Sequence, residues 1–135
     1  MASRYLLDTN FCIYWLHARP TSVTQRLRMV PAGAAFMSVI TWGELQFGAA
    51  KSQQVARAKR NLQALAEVIP PLALSMETGR RYGELRAALE RKGTPVGAND
   101  LWIAAHALSE RMTLVTNNVR EFRRISVLKI ENWVD

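Results

Sequence analysis

The sequence predicts an α/β protein built on a parallel sheet covered by helices on both faces. Two observations carry this reading. Short strand-like segments alternate with longer helical ones along the whole chain. The strand-like segments are also apolar throughout, without the period-two polar alternation of a sheet that faces water on one side. In sheets of this kind ligands bind at the carboxyl ends of the strands. At 135 residues the chain fits one domain, 1–135, with no internal repeat and no low-complexity linker.

The elements follow in order. Residues 4–7 (RYLL) form a short apolar strand that runs into Asp-Thr-Asn, a helix start. A helix continues from Phe11 to His17 and closes at Arg19-Pro20. Thr21 or Ser22 can cap a second helix through about Met29, which Pro31-Ala-Gly breaks. Ala35 to Met37 is a second strand, and Ser38 caps a helix from Val39 to about Ala50. Residues 53–67 are helical, with Leu62, Leu65 and Ala66 as the apolar stripe and Arg57, Lys59 and Arg60 facing outward. The Pro70-Pro71 pair restricts its segment to an edge strand or an entry loop. Ser75 to Arg91 is helical with Gly93 as its stop, and Gly97 to Glu110 is helical again. Thr113 to Thr116 is a strand, a turn follows at Asn117-Asn118, and Val127 to Ile130 is the last strand.

Composition narrows the function. Hydrophobic residues make up 49% and charged residues 21%, as in a folded protein. There are 18 Lys+Arg against 11 Asp+Glu, a net charge of +7, which points to a polyanion or an acidic partner. The single cysteine, Cys12, excludes an internal disulfide and a cysteine-rich zinc site. It sits among apolar residues as a small buried hydrophobe, and a reducing, cytoplasmic setting is expected. No apolar run reaches the roughly 18 residues of a membrane span, and no secretory signal or phosphate-binding glycine loop is visible.

The acids are more informative than the bases. Glu77, Glu84, Glu90 and Glu110 lie among arginines on amphipathic helices and read as solvated, as do Glu121 and Glu131. Three acids differ. Asp8 closes the first strand, Glu44 shares a helical face with Ile40, Phe47 and Gly48, and Asp100 shares one with Ile103, Ala104 and Ala107. A carboxylate on a buried face is costly unless it is paired or binds a cation, and no lysine or arginine stands beside these three. Singly, each has a plainer explanation. Asp8 can cap the helix that follows it, Asp100 can cap a helix starting one turn late, and Glu44 can reach solvent. Together they suit a shared hard cation such as Mg²⁺ or Mn²⁺, which prefers oxygen ligands and can activate water at a phosphodiester.

Other chemistries lack their parts. Asn10 stands where a haloacid-type phosphatase needs its second aspartate, and a receiver domain needs an acidic pair and a late lysine. His17 and His106 lie on apolar helices and read as structural rather than as an acid–base pair.

At these residues the sequence resembles the PIN-domain ribonucleases, and within them the VapC-type toxins of type II toxin–antitoxin systems. The resemblance runs through YLLDTN, SVITWGELQFGA, PVGANDLWIAAHAL, LVTNNVREFRRI and the closing IENW, in order and over nearly the whole chain. It implies an α/β/α sandwich and a Mg²⁺-dependent endoribonuclease, with Mn²⁺ as a substitute. It also implies Asp8 and Asp100 as the first-choice direct ligands, with Glu44 binding directly, through water, or orienting the attacking water. Thr9, Asn10 and Thr116 support them by hydrogen bonds. Many PIN domains carry a fourth acid where this chain has Asn118, so one tightly held ion is expected, with Asn118 in a supporting place. The resemblance further implies cleavage at one loop of a structured RNA, a cognate antitoxin that blocks the metal site, a homodimer, and a higher assembly with the antitoxin. The helices around residues 9–29 and 39–66 are the candidate docking surfaces, with Trp15, Leu16, Trp42 and Phe47 as either anchors or core.

Fourteen of the 18 bases are arginine, which suits phosphate contacts and stacking. Two clusters stand out, Lys51/Arg57/Lys59/Arg60 and Arg120/Arg123/Arg124. The second follows the last strand of the proposed site and is the expected RNA contact. Two other functions remain open on sequence alone: a non-catalytic RNA-binding PIN module, and a DNA-directed nuclease of related fold.

Overall fold

The computed structural model describes residues 3–134; residues 1, 2 and 135, the ends of the expected domain, lie outside the described residues. Five strands form one parallel sheet: β1 (Tyr5–Leu7), β2 (Ala35–Ser38), β3 (Pro71–Leu72), β4 (Thr113–Val115) and β5 (Ile130–Glu131). Their order is β3-β2-β1-β4-β5. Seven helices connect and flank them: α1 (Thr9–His17), α2 (Thr21–Met29), α3 (Val39–Ala50), α4 (Val55–Val68), α5 (Met76–Arg91), α6 (Ala98–Ser109) and α7 (Val119–Phe122).

The sheet is buried on both faces. On β1, Leu6 joins one core with Leu114, Leu101, Ile103, Ala104 and Phe122. Leu7, its neighbour, points the opposite way and joins Met37, Val115, Phe11, Leu45 and Leu65 in the other. This is why β1 and β4 carry no polar alternation. The paired prolines fit because β3 is an edge strand, where a missing N–H costs least.

The chain winds from β1 out to β3, then returns to place β4 on the other side of β1, in register Leu6↔Leu114 and Leu7↔Val115. The carboxyl ends of β1 and β4 therefore flank the point where strand order reverses, the standard position for a ligand crevice.

Four boundaries differ from the sequence reading. Neither Thr21 nor Ser22 caps α2; the N-cap is Pro20, which makes no side-chain cap bond. The fourth helix begins at Val55, because Gln53 and Gln54 remain in the turn. The Asn117-Asn118 turn leads into the four-residue helix α7, too short to show a helical period. The last strand begins at Ile130, because residues 123–129 form turns that place Ile125 and Leu128 in the core.

Candidate active site

Asp8 ends β1 with its backbone extended, and its side chain accepts a hydrogen bond from the Phe11 amide at 3.1 Å. It thus caps α1, and it also remains in the crevice, 6% exposed. Thr116, fully buried just past β4, donates its hydroxyl to the Asp8 carboxylate, and the Asn10 amide approaches as well. Burial nonetheless outweighs these bonds and raises the Asp8 pKa above its ordinary value, with Glu44 adding repulsion.

Asp100 lies in the first turn of α6, half-exposed. It is not the helix cap; Gly97 takes that position. Burial first, then the charges of Glu121, Asp8 and Glu44, push its pKa up to about 6. Glu44, on the second turn of α3, accepts a hydrogen bond from Asn99 at 3.3 Å. Its helical face divides, with Ile40 packed against the core. Phe47 on that face is 65% exposed and Gly48 is exposed, so the face borders a groove.

The supporting residues divide. Thr116 contacts Asp8 directly. Thr9 bonds Thr41 on α3 at 3.3 Å rather than a carboxylate. The Asn10 side chain reaches Asn117 at 3.5 Å, and Asn118 donates to Glu121 Oε2 at 2.9 Å.

Glu121 is the residue that sequence reasoning placed wrongly. Its arginine neighbours, Arg120, Arg123 and Arg124, made it look solvated. In the fold it is half-buried, its Oε1 accepts the free Gly97 amide at the start of α6 (3.0 Å), and its charge is the largest electrostatic contribution on Asp100. An acid that starts a helix right after a strand's carboxyl end was the available signal.

Four carboxylates therefore converge at the strand ends. Among the described residues none of the four forms an ion pair with a lysine or arginine. The donor set is all hard oxygen, as Mg²⁺ or Mn²⁺ requires, and the mutual repulsion is of the kind a divalent cation relieves. The fit lies in this chemistry rather than in a closed cage: among the described residues no three acid, histidine or cysteine side chains stand close enough to grip one ion.

Below the site, two buried groups tie its helices together. Ser38 caps α3 through the Ile40 amide (3.1 Å) and bonds His106 Nδ1 on α6 at 2.8 Å, with both side chains fully buried. His106 is structural, as expected, and burial lowers its pKa. Cys12 is fully buried, and burial raises its thiol pKa far beyond reactivity. Of the four residues read as anchors or core, Trp15 and Trp42 pack against the core, whereas Leu16 and Phe47 remain exposed beside the groove. Arg120, Arg123 and Arg124 are exposed around Glu121. No helix among the described residues is long and apolar enough to cross a membrane.

Comparison with known proteins identifies the family and its relatives. The family model described as "PIN domain" matches residues 5–128. Ribonuclease VapC2 of Rickettsia felis is 40% identical over 96% of this chain and 97% of its own. The tRNA(fMet)-specific endonuclease VapC of Shigella flexneri is 38% identical over 96% of this chain and 98% of its own. The structure of VapBC-1 from nontypeable Haemophilus influenzae superimposes with a TM-score of 0.90 at 38% identity, covering 97% of this chain and 98% of that one.

Proposed function

The chain belongs to the PIN-domain family, among the VapC ribonucleases, and from that premise we propose that it is the toxin of a type II toxin–antitoxin pair, a Mg²⁺-dependent endoribonuclease. The observation that carries the proposal is the convergence of Asp8, Glu44, Asp100 and Glu121 where strand order reverses, with no basic side chain among the described residues to neutralise them.

Asp8 and Asp100 are the best-placed ligands for the ion, being the two whose ionised forms burial penalises most visibly. Glu44 and Glu121 flank them, Glu44 held by Asn99 and Glu121 by Asn118 and the Gly97 amide. Thr116 orients Asp8, while Thr9 and Asn10 brace the start of α1 against α3 and the β4 turn. Asn118 supports Glu121 rather than replacing an acid. The bound ion would supply Lewis-acid activation of water and charge neutralisation at the phosphate. The protein's own contribution is to hold the carboxylates in register and to keep its own basic side chains from pairing with them.

The substrate proposed is one loop of a structured RNA, and the Shigella relative's name makes initiator tRNA the first to assay. Arg120, Arg123 and Arg124 surround the site as phosphate contacts. A homodimer that assembles further with its antitoxin is the proposed form in the cytoplasm; VapBC is named a family of toxin–antitoxin systems. The helices over residues 9–29 and 39–66 are the proposed antitoxin surface, with Leu16 and Phe47 as its exposed apolar contacts.

The test is direct. Protein freed of antitoxin should cleave RNA with Mg²⁺ or Mn²⁺ and stop in EDTA. D8A and D100A should each lower the rate by about 100-fold or more. Equal cleavage of DNA and RNA would point to the DNA-directed alternative, and tight RNA binding without cleavage to the regulatory one.

A further inference from the structure

A groove of about 910 Å³ runs from the carboxylate site between α1, α3 and α4. It opens at Thr9 and Glu44, and Glu44 is the one acid on its walls among the described residues. We propose that this groove carries the single-stranded RNA that flanks the scissile bond, with Phe47 as a stacking platform for a base and Lys51 and Arg57 as phosphate contacts. The inference rests on the endoribonuclease reading and names a substrate path for that same site.

Helix geometry sets up the path. Glu44, Phe47 and Lys51 lie at i, i+3 and i+7 along α3 and its C-cap, one stripe running about 10 Å along the helix. The stripe goes from acid to aromatic to cation, moving away from the reacting centre. Phe47 is 65% exposed, which leaves its ring accessible to a partner. Lys51 Nζ sits over the ring, 4.7 Å from its centroid, so a cation covers one face and a base stacks by taking the other face or by displacing the lysine toward its phosphate. At Gly48 a side chain would meet nothing within 4 Å, which leaves the helix surface beside the ring bare. Arg57, on the α4 wall, is exposed, and neither it nor Lys51 forms an ion pair among the described residues. The amides of Gln53 and Asn61 add hydrogen-bonding groups of the kind that read base edges and 2′-hydroxyls.

Two features fit a nucleic-acid strand to this groove, on the face also proposed for the antitoxin, so that the two would compete for it. The groove reaches the site at Glu44, so a strand presenting a phosphodiester to the carboxylates has an exit along it. Its charge is positive away from the site, matching a phosphate backbone. This places RNA contacts on the Lys51/Arg57 cluster in addition to Arg120, Arg123 and Arg124.

Fluorescence anisotropy with a labelled single-stranded RNA of about 12 nucleotides, in EDTA to prevent cleavage, tests the path. F47A should weaken binding about 10-fold, and F47W should retain wild-type affinity. K51A/R57A should flatten the dependence of log K on log salt by about 1.4, at ~0.7 for each phosphate no longer neutralised. In cleavage assays these variants should raise KM with kcat nearly unchanged. All three positions are exposed, so melting temperature should not move. Wild-type RNA affinity in both F47A and K51A/R57A overturns the proposal. So does wild-type RNA affinity combined with failure to co-purify the antitoxin or altered sedimentation, which would make the groove a protein-binding surface alone. If the wild type binds RNA through these residues yet cleaves nothing, the groove stands and the endoribonuclease reading fails.

Discussion

Asp8 does two jobs that sequence reasoning could only set side by side. It caps α1 through the Phe11 amide and also faces the other carboxylates. The two roles are compatible because a carboxylate has more acceptor sites than the cap uses, leaving capacity for Thr116 and for a cation. D8N should therefore keep most of the fold, since an asparagine oxygen caps nearly as well, yet lose cleavage. A melting curve beside a rate measurement separates the two effects. Asp100 carries the clearest pH consequence. Its folded pKa, about 6, lies above the ordinary 3.8, so between these values the folded state binds more protons than the unfolded one. Stability then falls as pH rises through that window. In EDTA the melting temperature should rise as pH is lowered from about 7.5 toward 5, and Mg²⁺ at the higher pH should recover much of the difference. Calorimetry at matched ionic strength checks both.

At the scale of elements, the long ones were legible and the short ones were not. α5 was legible as the span from Ser75 to Arg91 and starts at a capping box of Ser75 with Thr78, and α3 was legible by its Ser38 cap. α7 spans four residues, less than the window any helical period needs, and its loss from the reading carried Glu121 with it. The same limit hid the turns that delay β5 to Ile130. Sequence could find three carboxylates by their lack of basic neighbours, but Glu121 has basic neighbours in sequence and acidic ones in space. E121Q separates these. Its amide oxygen can still accept the Gly97 N–H, so stability should hold within about 1 kcal/mol while cleavage falls at least about 10-fold. Equal losses of both would make Glu121 a cap only. The Ser38–His106 bond predicts the opposite balance. S38A removes a helix cap and leaves His106 Nδ1 buried without its partner, a cost of about 2–4 kcal/mol by denaturant titration.

Across the whole molecule, the parallel sheet was legible because strands buried on both faces must be apolar on both, as Leu6 and Leu7 are. Strand order was not, since nothing in a short apolar strand encodes its neighbour. That order brings Asp8 and Thr116, 108 positions apart in the sequence, to the same crevice. Charge shows the same division. The net charge of +7 describes the surround, where arginines and lysines can draw in a polyanion. The site itself has the minority sign; Asp8, Glu44 and Asp100 are legible from their sequence neighbours, and Glu121 only from its spatial ones.

In the proposed mechanism these carboxylates would hold a divalent cation, which would supply activation of water as the nucleophile in place of the ribose 2′-hydroxyl. The most direct measurement is the chemistry of the RNA ends produced by the antitoxin-free protein. The expected products carry 5′-phosphate and 3′-hydroxyl ends, formed with Mg²⁺ and absent in EDTA and in D100A. Ends carrying 2′,3′-cyclic phosphate and 5′-hydroxyl, formed equally well in EDTA, would rule out metal-activated water as the nucleophile.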